Sequence, residues 1–343
     1  MNDLYSSNGI SVVCCCHNSE RTIEATLYSL FNQELSGEIN YEILLIDNGS
    51  RDKTVELAET TAQNANAHNF RIIYEEQIGL IYARMTGIKN VSQPVTLFVD
   101  DDNILSFDYI SRLLSIFKQH RDVGVIGGYA EPYIQNRQIP AWFFNYQLMF
   151  ACGPQADSSG KLTGMKQYLY GAGLAFRTKI LRDCLLEKMP PLLTGRSGNL
   201  LLRGDDTELC YRCYLSGWNI YYDESLRLRH NIHINRITWK NACTMRRQSG
   251  MTWIILNIYT RLSLGVKPPS IWYMYGLCGY RWLRFLLNPK NIVMIPVRGS
   301  IAALGFNFLL GMTYSVIFWT RKYVESRSRI MQNFNPRPQT EQI

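Results

Sequence analysis

The chain has 343 residues, of which 46% are hydrophobic and 19% charged, a balance that excludes an intrinsically disordered protein. Its net charge of +8 is unevenly spread, because the first 228 residues hold 20 basic and 26 acidic side chains, whereas the remainder holds 16 basic and only two acidic ones. The acidic first part and the basic, aromatic-rich second part indicate two roles, and the second part suits anionic lipid or nucleic acid.

The first half of the chain alternates predicted strands with predicted helices. Short apolar runs predict buried strands, and apolar side chains spaced by three or four residues predict the helices between them. The alternation predicts an α/β fold, a mostly parallel sheet flanked by helices, with ligands at the carboxyl ends of the strands. The predicted strands are Ile10–Cys16, Glu42–Asp47, Arg71–Tyr74, Val95–Asp100 and Val123–Gly128, and the predicted helices are Thr22–Asn32, one from about Asp52, Leu80–Asn90 and one striped by Ile110, Leu113, Leu114 and Phe117.

The second half is less regular. Residues 131–164 have no clear period and contain several prolines and aromatic residues, so we predict a long loop over the sheet. Gln167–Arg177 is interpreted as a strand interrupted by Gly171 and Gly173. After Arg236 the pattern becomes helical, aromatic and basic.

The cysteine pattern does not indicate a disulfide framework. Three of the nine cysteines are consecutive, Cys14–Cys16, within a predicted buried strand. Cys210 and Cys213 form a single CxxC without a second pair, so we interpret them as helix packing residues rather than a zinc site. Residues 1–9 are polar and do not resemble a signal peptide. These features together lead us to expect a reducing cytoplasm.

Acidic side chains fall where predicted strands end. Asp47 ends the second strand, and Asp100, Asp101 and Asp102 end the fourth. Adjacent carboxylates repel one another, and a divalent cation such as Mg²⁺ or Mn²⁺ would offset that repulsion while also binding phosphate oxygens. The run therefore favours a metal and phosphate site at this edge, with a solvated acidic turn as the alternative.

A second acidic pair, Asp205 and Asp206, opens a predicted helix over Thr207–Ser216. One of the two carboxylates is either the N-cap of that helix or a general base for a hydroxyl acceptor. Gly171 and Gly173, upstream of the pair, would let a bulky ligand approach the backbone closely.

Two further side chains suit a nucleotide. Asp47 would accept hydrogen bonds from a ribose or a base, or would instead form a turn with its own backbone. Arg84 stands in the first turns of the predicted helix Leu80–Asn90, where it suits a phosphate group, with an ordinary surface arginine as the alternative.

Histidine and tryptophan supply the remaining candidates. His230 and His233 follow the second acidic pair, and one of them would complete a metal site. Trp142 and Phe143, in the predicted loop, would either stack on a sugar ring or form a hydrophobic lid.

Six segments, in this order, resemble the motifs of the family 2 glycosyltransferases, which are inverting enzymes with the GT-A fold. A His-to-Arg spacing of six residues is similar to that of some bacterial members that build polysaccharides. The segments are Ser11–Glu20, Glu42–Thr54, Gly79–Gly87, Phe98–Asn103, Gly171–Phe176 and Asp205–Leu209, and the spaced pair is His230 and Arg236.

The resemblance implies a role for each matched position. Asp206 would be the catalytic base, and Asp102, or Asp101 in its place, would bind Mg²⁺ or Mn²⁺ with His230 nearby. The sequence departs from the family where Cys15 and Cys16 replace Pro and Thr, Met85 replaces Asn, and Asp205 replaces Glu. The nucleotide-sugar donor would contact Cys15, Cys16, Glu20, Asp47, Gly79, Arg84, Asp100 and Asp101, and the acceptor would contact Trp142, Gly171, Gly173 and Asp205.

The resemblance covers about residues 8–240, so we expect a GT-A nucleotide-diphospho-sugar transferase domain over 1–240 and a helical, membrane-associating region over 241–343. Within that region, residues 299–320 form an uncharged run that is long enough, as a helix, to span a bilayer. We favour helices that lie in the membrane interface with their basic residues on anionic headgroups. A true span and a soluble helical cap are the alternatives.

The predicted activity is the metal-dependent transfer of a sugar from a nucleotide donor to a saccharide or lipid-linked acceptor in surface-polysaccharide biosynthesis. We expect it at the cytoplasmic face of the cell membrane, as a peripheral or single-span protein, and not on nucleic acid. A polyprenyl-phosphate sugar synthase and a non-catalytic sugar-nucleotide-binding subunit are the alternatives. A nicotinamide oxidoreductase is disfavoured, because the first strand-to-helix turn lacks GxGxxG.

Overall fold

The computed structural model describes residues 8–134, 139–197 and 200–337. Its strands are β1 (Gly9–Cys16), β2 (Asn40–Asp47), β3 (Phe70–Tyr74), β4 (Val95–Asp100), β5 (Asn103–Leu105), β6 (Val123–Tyr133), β7 (Gly160–Lys161), β8 (Leu174–Arg177), β9 (Gly195–Ser197), β10 (Leu200–Leu202) and β11 (Asn219–Asn231). Its α-helices are α1 (Ile23–Phe31), α2 (Thr54–Asn64), α3 (Leu80–Asn90), α4 (Tyr109–Gln119), α5 (Trp142–Asn145), α6 (Thr178–Arg182), α7 (Asp205–Leu215), α8 (Trp239–Ser263), α9 (Ile271–Leu286), α10 (Pro289–Met294), α11 (Ile301–Phe318) and α12 (Thr320–Asn333).

Nine of the strands in the described ranges form one sheet in the order β3-β2-β1-β4-β8-β6-β11-β5, with β7 beside β11. Strands β1 to β4 are parallel to one another, β8 runs antiparallel between β4 and β6, and β11 is parallel to β6. The predicted mostly parallel sheet flanked by helices is confirmed. Because six strands point the same way, their carboxyl ends meet at one edge of the sheet.

Both faces of the sheet are buried. Along β1, Ile10, Val12 and Cys14 pack on one face together with α1 and α4, whereas Val13 packs on the other face. Successive side chains of a strand point to opposite faces, so a continuous apolar run is what two covered faces require.

The C-terminal helices belong to the same core as the sheet. Tyr259 of α8, Met312 of α11 and Tyr323 of α12 are buried in one apolar cluster with Phe176 of β8 and Leu209 of α7. The helices after residue 239 therefore cover one face of the sheet.

Two predictions for the second half are wrong in part. The predicted strand Gln167–Arg177 begins only at Leu174, because Gly173 has a φ of +67°, which breaks an extended strand. The predicted loop over 131–164 contains the last residues of β6, the short helix α5, a 3₁₀ turn and β7. Phe143 and Cys152 are buried within it. The aromatic residues that made this segment look irregular are its own core.

Strand β11 was not predicted from the sequence, although it lies inside the sheet beside β6. Its buried side chains alternate with exposed ones at Leu226, Leu228 and His230, which is the period-two signal of a strand. A register shift between Tyr222 and Arg227 interrupts that period and hides the signal.

Among the described residues, α11 is the only helix that is long and apolar enough to cross a membrane, and 50% of that stretch is buried inside the protein. It packs against α8 through glycines. A Cβ atom on Gly250 would lie 2.1 Å from the carbonyl oxygen of Phe308, and one on Gly311 would lie 1.9 Å from that of Arg247. Backbone therefore meets backbone at this crossing, so much of the apolar surface of α11 serves packing.

Candidate active site

Two loops at the carboxyl edge of the sheet are joined by hydrogen bonds. In the loop after β1, the backbone N–H of Asn18 donates to Ser50 Oγ at 3.0 Å, and Asn18 Oδ1 accepts from the backbone N–H of Arg51 at 2.8 Å. The backbone N–H of Glu20 donates to Asp52 Oδ2 at 3.1 Å. The loop after β1 and the loop after β2 therefore form one surface, beside which the predicted donor residues lie.

Three of those donor residues lie at the base of this surface. Asp47 is buried, and both of its carboxylate oxygens accept from the backbone N–H of Ser50 at 3.3 Å. Cys16 is also buried and its thiol lies 3.7 Å from Asp47 Oδ1. Cys15 is partly exposed, and burial of its sulfur raises the pKa of its thiol to about 12, so it remains protonated at neutral pH.

Asn48 fixes the start of α3, although it was not among the predicted site residues. Its side-chain oxygen accepts from the N–H of Gly79 at 2.7 Å, while its amide donates to the carbonyls of Glu75 and Gln77. Gly79 has a φ of +145° and precedes the first residue of α3. The Asn-Gly turn after β2 was the available signal, but the turn alone does not reveal its distant partner.

Arg84 joins the two acidic clusters. It is buried on α3, its Nη1 lies 2.6 Å from Asp205 Oδ2, and its Nη2 lies 4.0 Å from Asp100 Oδ1. Burial raises the pKa of Asp205 to about 6, and the Asp206 carboxylate adds to this effect while Arg84 opposes it. The alternative of an ordinary surface arginine is thus excluded. Arg84 lies between the end of β4 and the start of α7.

The three consecutive aspartates point to three different partners. Asp100 faces Arg84, Asp101 accepts a hydrogen bond from Ser19, and Asp102 faces the end of β11. Burial and the adjacent Asp102 carboxylate raise the pKa of Asp101 to about 7. The repulsion expected from the sequence is thus offset at Asp100 and Asp102 by ion pairs and persists at Asp101 as a raised pKa.

Asp102 forms a compact charged cluster with His230 and Arg236. Its Oδ2 lies 3.3 Å from His230 Nε2 and 3.1 Å from Arg236 Nη1, and its Oδ1 accepts from Asn103 Nδ2 at 3.0 Å. Burial acts to raise the pKa of Asp102, but His230 and Arg236 hold it below its usual value. Burial also acts to lower the pKa of His230, yet the Asp102 carboxylate raises it to about 10.

Two members of this cluster were not predicted from the residues alone. Asn103 is fully buried, and its Oδ1 accepts from the backbone N–H of Asp100 at 3.2 Å, which fixes the turn that carries the aspartates. Cys152 places its sulfur 3.7 Å from His230 Nδ1. The contacts of Asn103 are local to its turn, whereas that of Cys152 joins distant segments. Arg236 was found through its spacing from His230.

Asp206 lies at the start of α7, and its two carboxylate oxygens accept hydrogen bonds from two different backbone N–H groups. Its Oδ1 accepts from the N–H of Thr207 at 2.7 Å, and its Oδ2 accepts from the N–H of Gly171 at 2.9 Å. A Cβ atom on Gly171 would lie 2.9 Å from Arg84 Nη2, so a larger residue here would displace the Arg84 guanidinium. The carboxylate is partly exposed and is therefore available to a ligand.

Two predicted acceptor residues lie apart from this centre. A Cβ atom on Gly173 would lie 2.6 Å from both Leu228 Cδ2 and the hydroxyl of Tyr109, so this glycine serves packing beneath the site. Trp142 lies edge-to-face with Trp239, with ring centroids 5.2 Å apart. Both tryptophans line a groove of about 730 Å³ together with Pro140, Ile237, Thr238, Lys240 and Arg298.

The donor set near Asp102 suits a divalent cation only in part. A carboxylate and an imidazole are ligands that Mn²⁺ accepts, and Asp102 and His230 supply one of each. However, no group of three or more His, Cys, Asp or Glu side chains that could hold a metal occurs in the described residues. An ion here would need further oxygen ligands, of the kind that a nucleotide diphosphate carries.

Comparison with known proteins identifies a family for part of the chain. Residues 11–169 match the model of glycosyl transferase family 2. The poly-β-1,6-N-acetyl-D-glucosamine synthase of Staphylococcus epidermidis is 26% identical over 179 residues, which is 51% of this chain and 41% of that relative. The chain thus spans less than half the length of this curated relative.

Solved structures match over a larger part of the chain. The structure of S. aureus TarS 1–349 in complex with UDP has a TM-score of 0.50 and 15% identity, and the match covers 95% of this chain and 88% of that one. GalNAc-T7 with UDP, GalNAc and Mn²⁺ has a TM-score of 0.52 and 16% identity, covering 74% and 50% respectively. Residues 11–169 therefore form a glycosyl transferase family 2 domain, in a chain that has the GT-A fold.

Proposed function

We propose that this protein transfers a sugar, with inversion at the anomeric carbon, from a nucleotide-sugar donor to an acceptor hydroxyl in polysaccharide biosynthesis. The observation that carries the proposal is the position of Asp206. A partly exposed carboxylate stands at the start of α7, held by the Gly171 N–H, and its neighbour Asp205 is joined through Arg84 to Asp100 at the end of β4. A base at Asp206 would then lie beside the edge of the sheet that we propose for the nucleotide, and the match of residues 11–169 to glycosyl transferase family 2 supports that use of the edge.

The donor would lie across the joined loops after β1 and β2. Asp47, Cys15, Cys16 and Glu20 border this surface, and a nucleoside placed there would meet their side chains or the backbone around them. The donor's diphosphate would then extend toward Arg84 and the aspartates after β4, because positive charge and the carboxyl ends of the strands meet there. The TarS and GalNAc-T7 structures both contain UDP, which makes UDP-sugars the first donors to test.

We propose that Asp102 and His230 hold Mg²⁺ or Mn²⁺ together with the diphosphate. When bound, the ion would neutralise the negative charge that develops on the departing diphosphate. His230 must be neutral to act as a ligand, so the cation would have to displace the proton that the Asp102 carboxylate favours on this imidazole. Arg236, which lies 3.1 Å from Asp102 in this structure, would be free to approach the diphosphate once the cation binds that carboxylate.

The reaction is a single displacement. The acceptor oxygen attacks the anomeric carbon from the face opposite the diphosphate, and Asp206 accepts the proton that this hydroxyl loses. The bond from the anomeric carbon to the phosphate oxygen breaks, and its electron pair leaves with the nucleoside diphosphate. Attack on the opposite face inverts the configuration at the anomeric carbon.

The acceptor would occupy the groove between Trp142 and Trp239. The aromatic rings suit the face of a sugar, and Lys240 and Arg298 suit a phosphate, so both a saccharide and a lipid-linked acceptor fit its chemistry. The relative from S. epidermidis is named for a polysaccharide product. We therefore propose surface-polysaccharide assembly at the cytoplasmic face of the cell membrane.

A donor screen tests the proposal. Purified protein would be incubated with UDP-, GDP- and dTDP-sugars in the presence of Mn²⁺, Mg²⁺ or EDTA, and the melting temperature and nucleotide release would be recorded. The proposal predicts that one donor stabilises the protein and is turned over, and that EDTA abolishes turnover. If no nucleotide sugar changes the melting temperature with metal present, the proposed function is wrong.

A further inference from the structure

Helix α9 has one face packed against the protein and one face exposed. On the packed face, Met274 and Cys278 are buried, and Trp282 Nε1 donates to Thr313 Oγ1 of α11 at 2.7 Å. On the other face, Gly276 and Gly279 have nothing within 4 Å of the place where a side chain would begin. At these positions that face therefore meets nothing in the part of the chain that the structure describes.

The exposed face is apolar and continues into α10 and the start of α11. Six of its side chains are each more than half exposed, and they define what we call the α9–α10 surface: Trp272, Tyr280, Leu283, Leu287, Val293 and Ile301. Trp272, Leu283 and Leu287 recur at helical spacing on one side of α9. Monomeric soluble proteins seldom leave such a continuous apolar surface without a partner.

The charged side chains in the stretch of chain that forms this surface are all basic. Arg284, Lys290 and Arg298 are exposed on or beside it. The sequence has no acidic residue between Arg229 and Glu325, so nothing in this stretch offsets them. A partner that offers both apolar and anionic groups would complement the surface, and an anionic lipid bilayer offers both.

The surface suits a helix that lies on a bilayer rather than one that crosses it. Helix α9 has 16 residues and carries Arg281 and Arg284, so it is too short and too polar to span. Helix α11 is long enough, but its backbone is in contact with α8 at Gly250 and Gly311. Trp272 and Tyr280 are the side chain types that favour the boundary between headgroups and acyl chains.

We propose that the α9–α10 surface binds peripherally to the anionic leaflet of a membrane. This inference rests on the proposed function, because membrane binding would serve sugar transfer to a lipid-linked acceptor. Arg298 lines the groove of Trp142 and Trp239 and is also one of the bases beside the α9–α10 surface. Docking would therefore bring that groove to the level of the headgroups, where a lipid-linked acceptor carries its sugar or phosphate.

Vesicle sedimentation of the full-length protein tests the inference. Vesicles of phosphatidylcholine, with and without phosphatidylglycerol, would be mixed with wild type and with the single variants Leu287→Glu and Val293→Glu. Wild type is expected to sediment only with the vesicles that contain phosphatidylglycerol, and added salt is expected to release it. Each variant is expected to lose about tenfold or more in partition coefficient, because a charge replaces a side chain that would enter the acyl boundary.

The matched control is Phe107→Glu, which also places a carboxylate at an exposed apolar position but lies in the acidic first part of the chain. Phe107 is 63% exposed and Leu287 is 72% exposed, so the two changes are comparable. The control is expected to bind vesicles as wild type does. Every variant would also be checked for its melting temperature with and without a donor sugar, so that loss of folding or of donor binding is seen separately from loss of membrane binding.

Three results would overturn the inference. Wild type could fail to bind phosphatidylglycerol vesicles while retaining donor binding, which would leave the proposed function standing. Binding could be unchanged in both variants, or be released only by detergent, which would point to α11 as a span. Light scattering could show that Leu287→Glu turns an oligomer into a monomer without any vesicle binding, which would assign the surface to a second copy of the chain.

Discussion

At the scale of single residues, the site is organised by partners that neutralise neighbouring carboxylates. Asp100 and Asp205 share Arg84, Asp101 is held by Ser19, and Asp102 is paired with His230 and Arg236. Each carboxylate thus has its own environment, and the pKa of Asp101 is raised to about 7 while that of Asp102 is held low. Such divergence between neighbouring acids is typical of sites that assign them different roles.

Replacement of Arg84 by glutamine should remove the countercharge from a buried pair. The side chain of Arg84 is 7% exposed and that of Asp205 is 13% exposed, so the free energy of unfolding is expected to fall by about 2–4 kcal/mol at neutral pH, as measured by urea denaturation. The matched control is Arg71→Gln. Arg71 is 49% exposed and lies 3.3 Å from Glu42, so its loss should cost about 0.2–1 kcal/mol.

The cost of Arg84→Gln should depend on pH in a defined direction. Without Arg84, the pKa of Asp205 in the folded protein should rise further above about 6, well above its value in the unfolded chain. The unfolded-state pKa is common to the variant and the wild type, so the deficit relative to wild type is fully present above the folded pKa of the variant. It shrinks as the pH falls through that value toward the folded pKa of Asp205 in wild type, about 6. A deficit that stays constant from about pH 8 to about pH 5 would contradict the pairing of Arg84 with Asp205.

The choice between Asp101 and Asp102 as metal ligand can be tested by matched variants. Asp102→Asn is expected to raise the Mn²⁺ concentration for half-maximal donor turnover by about tenfold or more, since ligand-shell changes have effects of that order. Asp101→Asn should have a smaller effect, because Asp101 is held by Ser19. If Asp101→Asn shows the larger shift, Asp101 rather than Asp102 is the main metal ligand.

At the scale of elements, the sequence predicted β1 to β4 and α1 to α4 well. Strands β1, β2 and β4 are mostly buried and carry nearly continuous apolar runs, whereas β3 is a partly exposed edge strand with a shorter run. The sequence also predicted that Asp47, Asp102 and Asp206 follow strands or begin a helix, as they do in the structure, while the roles of these residues and of Arg84 stay predictions. It did not predict β11, whose alternation is broken by a register shift. Nor could it predict Asn48 or Cys152, because their partners lie far away along the chain.

The crossing of α8 and α11 yields a prediction for these two elements. Gly250→Ala would place a methyl group 2.1 Å from the Phe308 carbonyl, so the helices must separate, and the expected loss in free energy of unfolding is about 1–3 kcal/mol. Gly276→Ala is the matched control, since nothing lies within 4 Å of the added group. The control should be neutral or should stabilise the protein by up to about 1 kcal/mol, through helix propensity. Equal effects of the two changes would argue against the close crossing.

At the scale of the whole molecule, the sheet, helix α7 and the basic C-terminal helices share one apolar core. Glu208 of α7 accepts a hydrogen bond from Tyr259 of α8 at 2.9 Å, and the same carboxylate oxygen accepts from Arg212 Nη2 at 2.5 Å. The helix that begins with Asp205 and Asp206 is therefore anchored by a residue that comes after the expected domain boundary at 240. The position of Asp206 therefore depends on α8, the first of the basic helices.

Truncation to residues 1–240 tests how far that core is shared. The shortened chain would expose Leu209, Tyr211 and Tyr214, which are buried in the full chain, and would leave Glu208 without Tyr259. We expect it to lose cooperative unfolding or to aggregate, as followed by circular dichroism during urea titration. A truncated protein that unfolds cooperatively with the stability of the full chain would establish residues 1–240 as an independent domain.

The proposed role of Asp206 as the base in sugar transfer can be tested by comparing wild type with Asp206→Asn. Turnover and affinity for the donor identified in the screen would be measured for both proteins, since the variant keeps an acceptor for the Gly171 N–H. We expect unchanged donor affinity and a fall in kcat of about 10²–10⁴, the usual contribution of a general base. An Asp206→Asn variant that turns over at nearly the wild-type rate would contradict it, and would favour an acceptor such as a lipid phosphate that needs no base.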